Sequence, residues 1–366
     1  MNRKYKKIII ATGGTGGHVL PAFNLAKHFF DNNINVELTC DKRGLKYLKN
    51  YNDIKVNLIL SATIFQNNLL KAIFSSIIIF YSIFRSFLFL LLKRPDIVFG
   101  MGGYSSFPVC IAAKVLNIPF IIYENNLFIG KANKYLLPFA KKIFVSHREL
   151  EGISEKYRKK ICEIGNIINK DIIKLKDLHN SNIDTQQLKI LILGGSQAAK
   201  IFAEKLPKIF KQCIENKVNL EIFQQCLPEQ NRNLISFYKD LKIRFEIFNF
   251  SSNLTNYYSK INLAITRSGS SVLAELINAN IPFISVPLPT SADNHQLKNA
   301  IYYQKKGYSY LIKEKDLNEK LFDLIKKIGR DKSLLGKIKN NQKKFSDKIV
   351  YENIDNQMNR IFYEKN

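Results

Sequence analysis

The stretch Thr266–Ala300 reads TRSGSSVLAELINANIPFISVPLPTSADNHQLKNA. It opens at the end of an apolar strand, Asn262–Ile265, and turns through Thr266-Arg267-Ser268-Gly269 into Ser270 and Ser271. Val272, Leu273, Leu276 and Ile277 then recur at helical spacing, and small hydroxyl residues ahead of such a run are helix-start chemistry. The unpaired N–H groups and positive dipole end of that helix suit an anion, commonly a diphosphate. One turn further in, Glu275 is placed to accept hydrogen bonds from both hydroxyls of a ribose. A second strand, Pro282–Pro287, leads to another helix start at Asp293-Asn294-His295-Gln296, whose amides and imidazole suit sugar hydroxyls. Strand, turn, helix and strand with a ligand at the turn is the repeating unit of a doubly wound α/β sheet.

That unit recurs along the chain. Lys7–Ala11 is an apolar, β-branched run of the kind found in buried parallel strands. It is followed by Thr12-Gly13-Gly14-Thr15-Gly16-Gly17-His18, a helix carrying Leu20, Phe23, Leu25, Ala26 and Phe29, and a strand at Asn35–Cys40. Asp96–Phe99 runs into Gly100-Met101-Gly102-Gly103-Tyr104-Ser105-Ser106, and Pro119–Tyr123 ends at Glu124-Asn125-Asn126. Lys189–Leu193 runs into Gly194-Gly195-Ser196-Gln197, and the alternation continues through Leu220–Gln224 and Ile243–Phe248. The expectation is two α/β domains of similar build, 1–165 and 166–346, the second opening with a polar, irregular linker at Asn166–Gln187. A last helix within 347–366 carries apolar Ile349, Val350, Ile354, Met358, Ile361 and Phe362, which need a cover.

Composition narrows the partners. The chain has 366 residues, 46% hydrophobic, with a formal charge of +26. Its lysines are spread along the whole length among many Ile and Asn residues, and no zinc-finger, RNP-like or helix-turn-helix pattern is present, which argues against nucleic acid and leaves an anionic membrane surface. The five cysteines form no CxxC pair, as expected for a reducing cytoplasm. The basic start MNRKYKKIIIATGG reads as a first strand rather than a signal peptide. Leu69–Leu92 is long and apolar enough to span a bilayer. However, Lys71, Ser75, Ser82, Arg85, Ser86 and Lys93 fall on one stripe, and strands flank the segment on both sides. It reads as one or two helices with a broad apolar face, part core and part membrane-docking; burial as internal core is the competing reading.

The glycine turns carry the chemistry. Position 19 is Val where a dinucleotide fingerprint needs Gly, and no GK[ST] occurs, so neither a nicotinamide-dependent oxidoreductase nor a Walker loop is indicated. Glycines this dense form anion-binding nests. His18 is the candidate general base, since sugar transfer to a hydroxyl needs a group that takes its proton near neutral pH; capping its helix is the alternative. No Asp-x-Asp occurs, so no metal site or cofactor is expected, and the serine-lined helix starts would meet the charge on a diphosphate leaving group. Arg267 would add charge there or form an outward salt bridge.

GGTGGH with Pro21, GMGGYSS some ninety residues on, GGSQA at Gly194–Ala198 and the TRSGSS stretch together resemble the GT-B glycosyltransferases of family 28, over nearly the whole chain. The resemblance implies two Rossmann-like domains facing across a cleft, with the last helix crossing back to the first. It implies that Thr15, Gly16, Gly17, Gly103 and Tyr104 frame an acceptor diphosphate. Asn126 would touch the donor sugar, Ser196, Ser270 and Ser271 its diphosphate, Glu275 its ribose, Ser251 the region of the uracil, and His295 and Gln296 the sugar hydroxyls. The implied reaction is inverting transfer of N-acetylglucosamine from UDP-N-acetylglucosamine to the 4-hydroxyl of the muramyl pentapeptide carried on undecaprenyl diphosphate (lipid I). It would occur peripherally at the cytoplasmic face of the inner membrane. Another lipid acceptor such as diacylglycerol is the alternative, and the anion-binding nests favour the diphosphate. Two motifs depart from the family: His-Glu-Gln-Asn is Tyr123-Glu124-Asn125-Asn126 here, and Gly-Asn-Pro-Val-Arg is Gly165-Asn166-Ile167-Ile168-Asn169, without the Arg.

Overall fold

Residues 5–48, 53–61, 69–178, 187–249, 251 and 254–363 are described by a computed structural model. The chain forms two compact units, Met1–Asn169 together with Asp347–Asn366, and Lys170–Ser346.

In the first unit, strands β1 (Lys7–Ala11), β2 (Asn35–Cys40), β3 (Lys55–Leu58), β4 (Ile97–Gly100), β5 (Phe120–Glu124), β6 (Lys142–Val145) and β7 (Ile161–Glu163) make one parallel sheet. Its order is β3-β2-β1-β4-β5-β6-β7. Side chains of a strand alternate between faces, and both faces here are covered, so β1 is apolar from Ile8 to Ala11. Ile8 and Ile10 enter one core layer, Ile9 and Ala11 the other. The first layer also takes Val350, Ile354, Met358 and Ile361 from the helix Val350–Tyr363, so the end of the chain completes the core of its beginning. Asp347 locks that return. Its carboxylate accepts from the backbone N–H of Asn166 at 2.9 Å and from Asn166 Nδ2 at 3.0 Å.

The second unit repeats the winding with β8 (Leu188–Leu193), β9 (Leu220–Gln225), β10 (Arg244–Phe248), β11 (Leu263–Thr266), β12 (Phe283–Ser285) and β13 (Tyr310–Leu311). These are parallel in the order β10-β9-β8-β11-β12-β13. In each sheet the strand order reverses once, between β1 and β4 and between β8 and β11. Such a switch point leaves a crevice at the carboxyl ends of the strands where ligands bind. The stretch read as an irregular linker contains a helix, Lys170–Leu178, with Ile172 buried; residues 179–186 lie outside the described residues.

Leu69–Lys93 is one continuous helix packed along the helix Ser106–Val115, and much of its apolar surface points outward. Ser75, Ser82 and Ser86 are buried, while Phe74, Ile77, Phe84 and Leu92 are exposed and Phe80 is 76% exposed. Ser82 Oγ donates to the Leu60 carbonyl at 2.7 Å. Leu90 is buried in the core with Phe87 and Phe89 packed beside it, so the helix is part core, while most of its other large apolar side chains face away and the reading as wholly internal core is wrong. Contiguous exposed apolar surface of this kind marks an interaction with a membrane or another protein.

Candidate active site

In the first unit the loops after β1 and β4 meet at the switch point. Gly14, Gly102 and Gly103 have φ of 83°, 85° and 75°, the left-handed region that favours glycine. A Cβ on Gly102 would lie 2.8 Å from Cε1 and Nδ1 of His18, and one on Gly103 would lie 2.9 Å from the Gly13 carbonyl oxygen. Glycine at these positions lets the two loops interlock around the His18 imidazole. Backbone bonds fix the arrangement: Met101 N–H donates to the Ala11 carbonyl at 2.8 Å, and Ser106 Oγ to the Gly103 carbonyl at 2.9 Å.

The helix Gly16–Asp31 starts with exposed Thr15 as its extended N-cap, whose carbonyl accepts from the N–H of His18 (3.1 Å) and Val19 (3.2 Å). Thr15 thus closes the first turn through its backbone and makes no side-chain cap. Half-buried Tyr104 stands beside Gly103, two residues before the helix Ser106–Val115.

Asp41 organises the first glycine loop. Its Oδ1 accepts from the backbone N–H of Gly14 and of Gly44, each at 2.9 Å, and its Oδ2 from Arg43 Nη2 at 2.9 Å and Ser61 Oγ at 2.8 Å. Burial alone would raise this carboxyl, but those donors hold it below the usual carboxylate range. The signal available was an Asp at the end of a strand with an Arg two residues on.

Asn126 is held by the buried Glu124. Glu124 Oε1 accepts from Asn126 N–H and Nδ2 at 3.1 and 3.0 Å, and its Oε2 from Gly130 N–H and Asn133 Nδ2, both at 2.9 Å. Neighbouring Asn125 donates from Nδ2 to the Gly17 carbonyl at 2.9 Å, which ties this loop to the glycine loop below His18. The departure at Tyr123 falls in the core: its hydroxyl bonds Ser146 Oγ at 2.9 Å and accepts from Ile167 N–H at 3.1 Å. Thr15, Gly16, Gly17, His18, Gly103, Tyr104 and Asn126 thus come from three loops of one sheet edge.

In the second unit the helix Ser270–Asn278 begins behind Gly269, with Ser270 buried and Ser271 half-buried. The helix Gly195–Glu215 begins at the neighbouring strand end, since Leu193 pairs with Thr266. Gly195 has φ 68° with open space where a Cβ would stand. The Ser196 side chain lies outside the described residues. One turn into Ser270–Asn278, Glu275 Oε2 accepts from Tyr258 Oη at 2.7 Å. Burial pushes the Glu275 carboxyl up to about 7, against the pull of that hydrogen bond.

Gln296 joins the loops after β11 and β12: its Oε1 accepts from Ser268 N–H at 3.2 Å and Leu288 N–H at 3.0 Å. Two backbone donors oblige the oxygen to sit at that end, which leaves Nε2 as a donor for a ligand. His295 Nδ1 lies 2.7 Å from the Ala292 carbonyl, a geometry in which Nδ1 carries the proton and Nε2 accepts. Ser251 follows β10, three places from β11 in the sheet.

Arg267 forms the expected salt bridge, but an inward one. It is 5% exposed, ion-paired with Glu314, bonded to the Val286 carbonyl at 3.2 Å and 4.9 Å from the Phe202 ring. Its half-buried partner arrives 47 residues later in the chain, which no local pattern could reveal. Among the described residues, no three His, Cys, Asp or Glu side chains are grouped to hold a metal ion.

Comparison with known proteins accounts for this pair of crevices. The family model for the glycosyltransferase family 28 N-terminal domain matches residues 8–145, and that for the C-terminal domain matches 189–355. A Pelagibacter ubique protein named UDP-N-acetylglucosamine--N-acetylmuramyl-(pentapeptide) pyrophosphoryl-undecaprenol N-acetylglucosamine transferase is 37% identical, over 96% of this chain and 97% of its own. A Rickettsia bellii protein of the same name is 33% identical over 87% and 91%. Among solved structures, Acinetobacter baumannii MurG superposes with a TM-score of 0.77 at 23% identity, over 97% of this chain and 99% of that one. An S. aureus MnaA–UDP structure gives 0.69 at 17% identity, over 98% and 97%. With two Rossmann-like units, a switch-point crevice in each and relatives alike from end to end, the chain has the GT-B fold and belongs to glycosyltransferase family 28.

Proposed function

We propose that this chain is an inverting N-acetylglucosaminyltransferase. It moves N-acetylglucosamine from UDP-N-acetylglucosamine to the 4-hydroxyl of the N-acetylmuramyl pentapeptide on undecaprenyl diphosphate, for peptidoglycan. The observation that carries this reading is the end-to-end relation to curated enzymes of that name, which also favours it over a diacylglycerol acceptor. The second unit takes the donor, with its ribose at Glu275, its diphosphate at the helix starts of Gly195–Glu215 and Ser270–Asn278, and its sugar hydroxyls at Gln296 and His295. The first unit takes the acceptor diphosphate in the nest of Gly14, Gly16, Gly17 and Gly103. His18 removes the proton of the acceptor hydroxyl as that oxygen bonds to the anomeric carbon. The bond from that carbon to UDP breaks on the opposite face, and the charge left on the diphosphate is met by backbone N–H groups and helix dipoles.

The exposed apolar face of Leu69–Lys93 supports attachment to the membrane that holds a prenyl-linked acceptor, through a helix lying in the interface. The excess of basic residues fits anionic headgroups there. We place the enzyme at the cytoplasmic face of the inner membrane, where a nucleotide sugar is available. The test is transfer of labelled sugar from UDP-N-acetylglucosamine to a short-chain acceptor analogue, with His18→Ala alongside. Transfer that collapses in the variant is expected. Transfer that survives it removes His18 as the base, and no transfer by the parent chain refutes the acceptor.

A further inference from the structure

Two buried or half-buried carboxylates, Glu124 in the first unit and Glu275 in the second, differ in how they are satisfied. Glu124 is met by four donors. The Glu275 carboxylate is met by one, Tyr258 Oη at 2.7 Å on Oε2. Among the described residues Oε1 has no partner, Tyr258 is the titratable group facing the carboxylate, and no cation pairs with it. Tyr258 closes the short helix Thr255–Tyr258, is fully buried, and spends its hydroxyl on Glu275. A phenol locked in the core cannot follow a carboxylate that swings between rotamers, so the hydrogen bond fixes where Glu275 stands.

We propose that Tyr258 is a positioning residue for the donor: it pins one oxygen of Glu275 so that the remaining lone pairs meet the two vicinal hydroxyls of the donor ribose. This rests on the reading that Glu275 receives that ribose. The same bond favours the charged carboxylate, the form that accepts from both hydroxyls, because a donor to the charged form stabilises it. Without Tyr258 Oη, burial acts on Glu275 unopposed, and a larger share of the carboxyl is protonated near neutral pH.

The experiment is calorimetric binding of UDP-N-acetylglucosamine to the full chain across about pH 6 to 9, a range in which its doubly esterified diphosphate carries no titrating proton. The parent chain, Tyr258→Phe and Glu275→Gln are compared. Binding by the parent is expected to weaken as pH falls through about 7. Tyr258→Phe is expected to bind about three- to tenfold more weakly at neutral pH. That deficit should shrink toward the alkaline end, because the acid limb moves upward. A deficit that is constant with pH reports altered packing and overturns the proposal, as does unchanged affinity. Unchanged affinity in Glu275→Gln instead removes the ribose from Glu275, a separate failure. A 2′-deoxy donor on the parent chain gives a second measurement that needs no variant to fold: its acid limb should flatten, and an undiminished limb overturns the proposal.

Discussion

Gly102→Ala is a sharp probe of whether the position of the His18 ring governs turnover. Gly102 has φ 85°, and its new Cβ would lie 2.8 Å from Cε1 and Nδ1 of His18, where ordinary contact begins at 3.4 Å. The ring must therefore retreat by about 0.6 Å, and a misplacement of about 1 Å costs on the order of a hundredfold in rate. The left-handed backbone adds strain of about 1–2 kcal/mol, partly offset by the smaller entropy of the unfolded Ala chain. We expect kcat to fall roughly ten- to a hundredfold with the donor KM unchanged, and the melting temperature to fall by about 2–8 °C. Gly307→Ala is the control: φ is 72° there, and its Cβ would meet only the end of the Asn341 side chain. It should lower the melting temperature similarly and leave kcat alone. Steady-state transfer and thermal melts of both variants decide the matter. If Gly102→Ala melts early but turns over at the parental rate, the imidazole position is irrelevant and His18 is not the base.

Other expectations follow from the same geometry. Ile77→Glu with Phe80→Glu should weaken binding to anionic vesicles at least tenfold, given about 1.5–3 kcal/mol for each large apolar side chain buried; a short-chain acceptor should still be used, and vesicle flotation measures the change. Asp41→Asn should destabilise the first unit by about 1–3 kcal/mol at neutral pH. Because the folded Asp41 is held below its ordinary value, the stabilisation is present above about pH 4 and lost as pH falls through the folded value. Denaturant midpoints of the two proteins should therefore converge in acid. Burial pushes the Cys40 and Cys213 thiols up to about 12, so alkylation at mildly alkaline pH should reach half-buried Cys162 first, as mass spectrometry of the modified peptides would show.

The sheets and their glycine turns were legible because the relevant signals are local. A run such as Ile8–Ala11 bounded by glycines has few alternatives, and a serine pair ahead of Val272 and Leu273 marks a helix start wherever it occurs. The polar stripe of Leu69–Lys93 was legible too, but its direction was not: a helix with its serines inward has the same period as one with its serines outward. Which side faces the protein is decided by the helix Ser106–Val115 and the Leu60 carbonyl, neither of which sits in the stripe's own sequence. Tyr258 and Asp41 escaped for a related reason. Each bonds a group brought near by the winding of the sheet, Glu275 for Tyr258 and the Gly14 N–H for Asp41, and no spacing announces that. The helix Lys170–Leu178 was hidden by its charge, since three lysines and two aspartates interrupt its four apolar residues.

The core of the first unit has a consequence for the order in which the chain can fold. Val350, Ile354 and Met358 fill a layer whose other walls, Ile8, Leu38 and Phe99, are made far earlier on the ribosome. Everything from Lys170 to Ser346 must be synthesised in between, roughly ten to forty seconds at ordinary elongation rates. The contiguous second unit can fold in that interval, whereas the first waits with an apolar sheet face uncovered and the apolar face of Leu69–Lys93 already emerged. A nascent chain in that state has a vacant core layer and a lipid-seeking helix at once. Early contact with the membrane would give that helix its own medium and keep it from occupying the place reserved for the last helix.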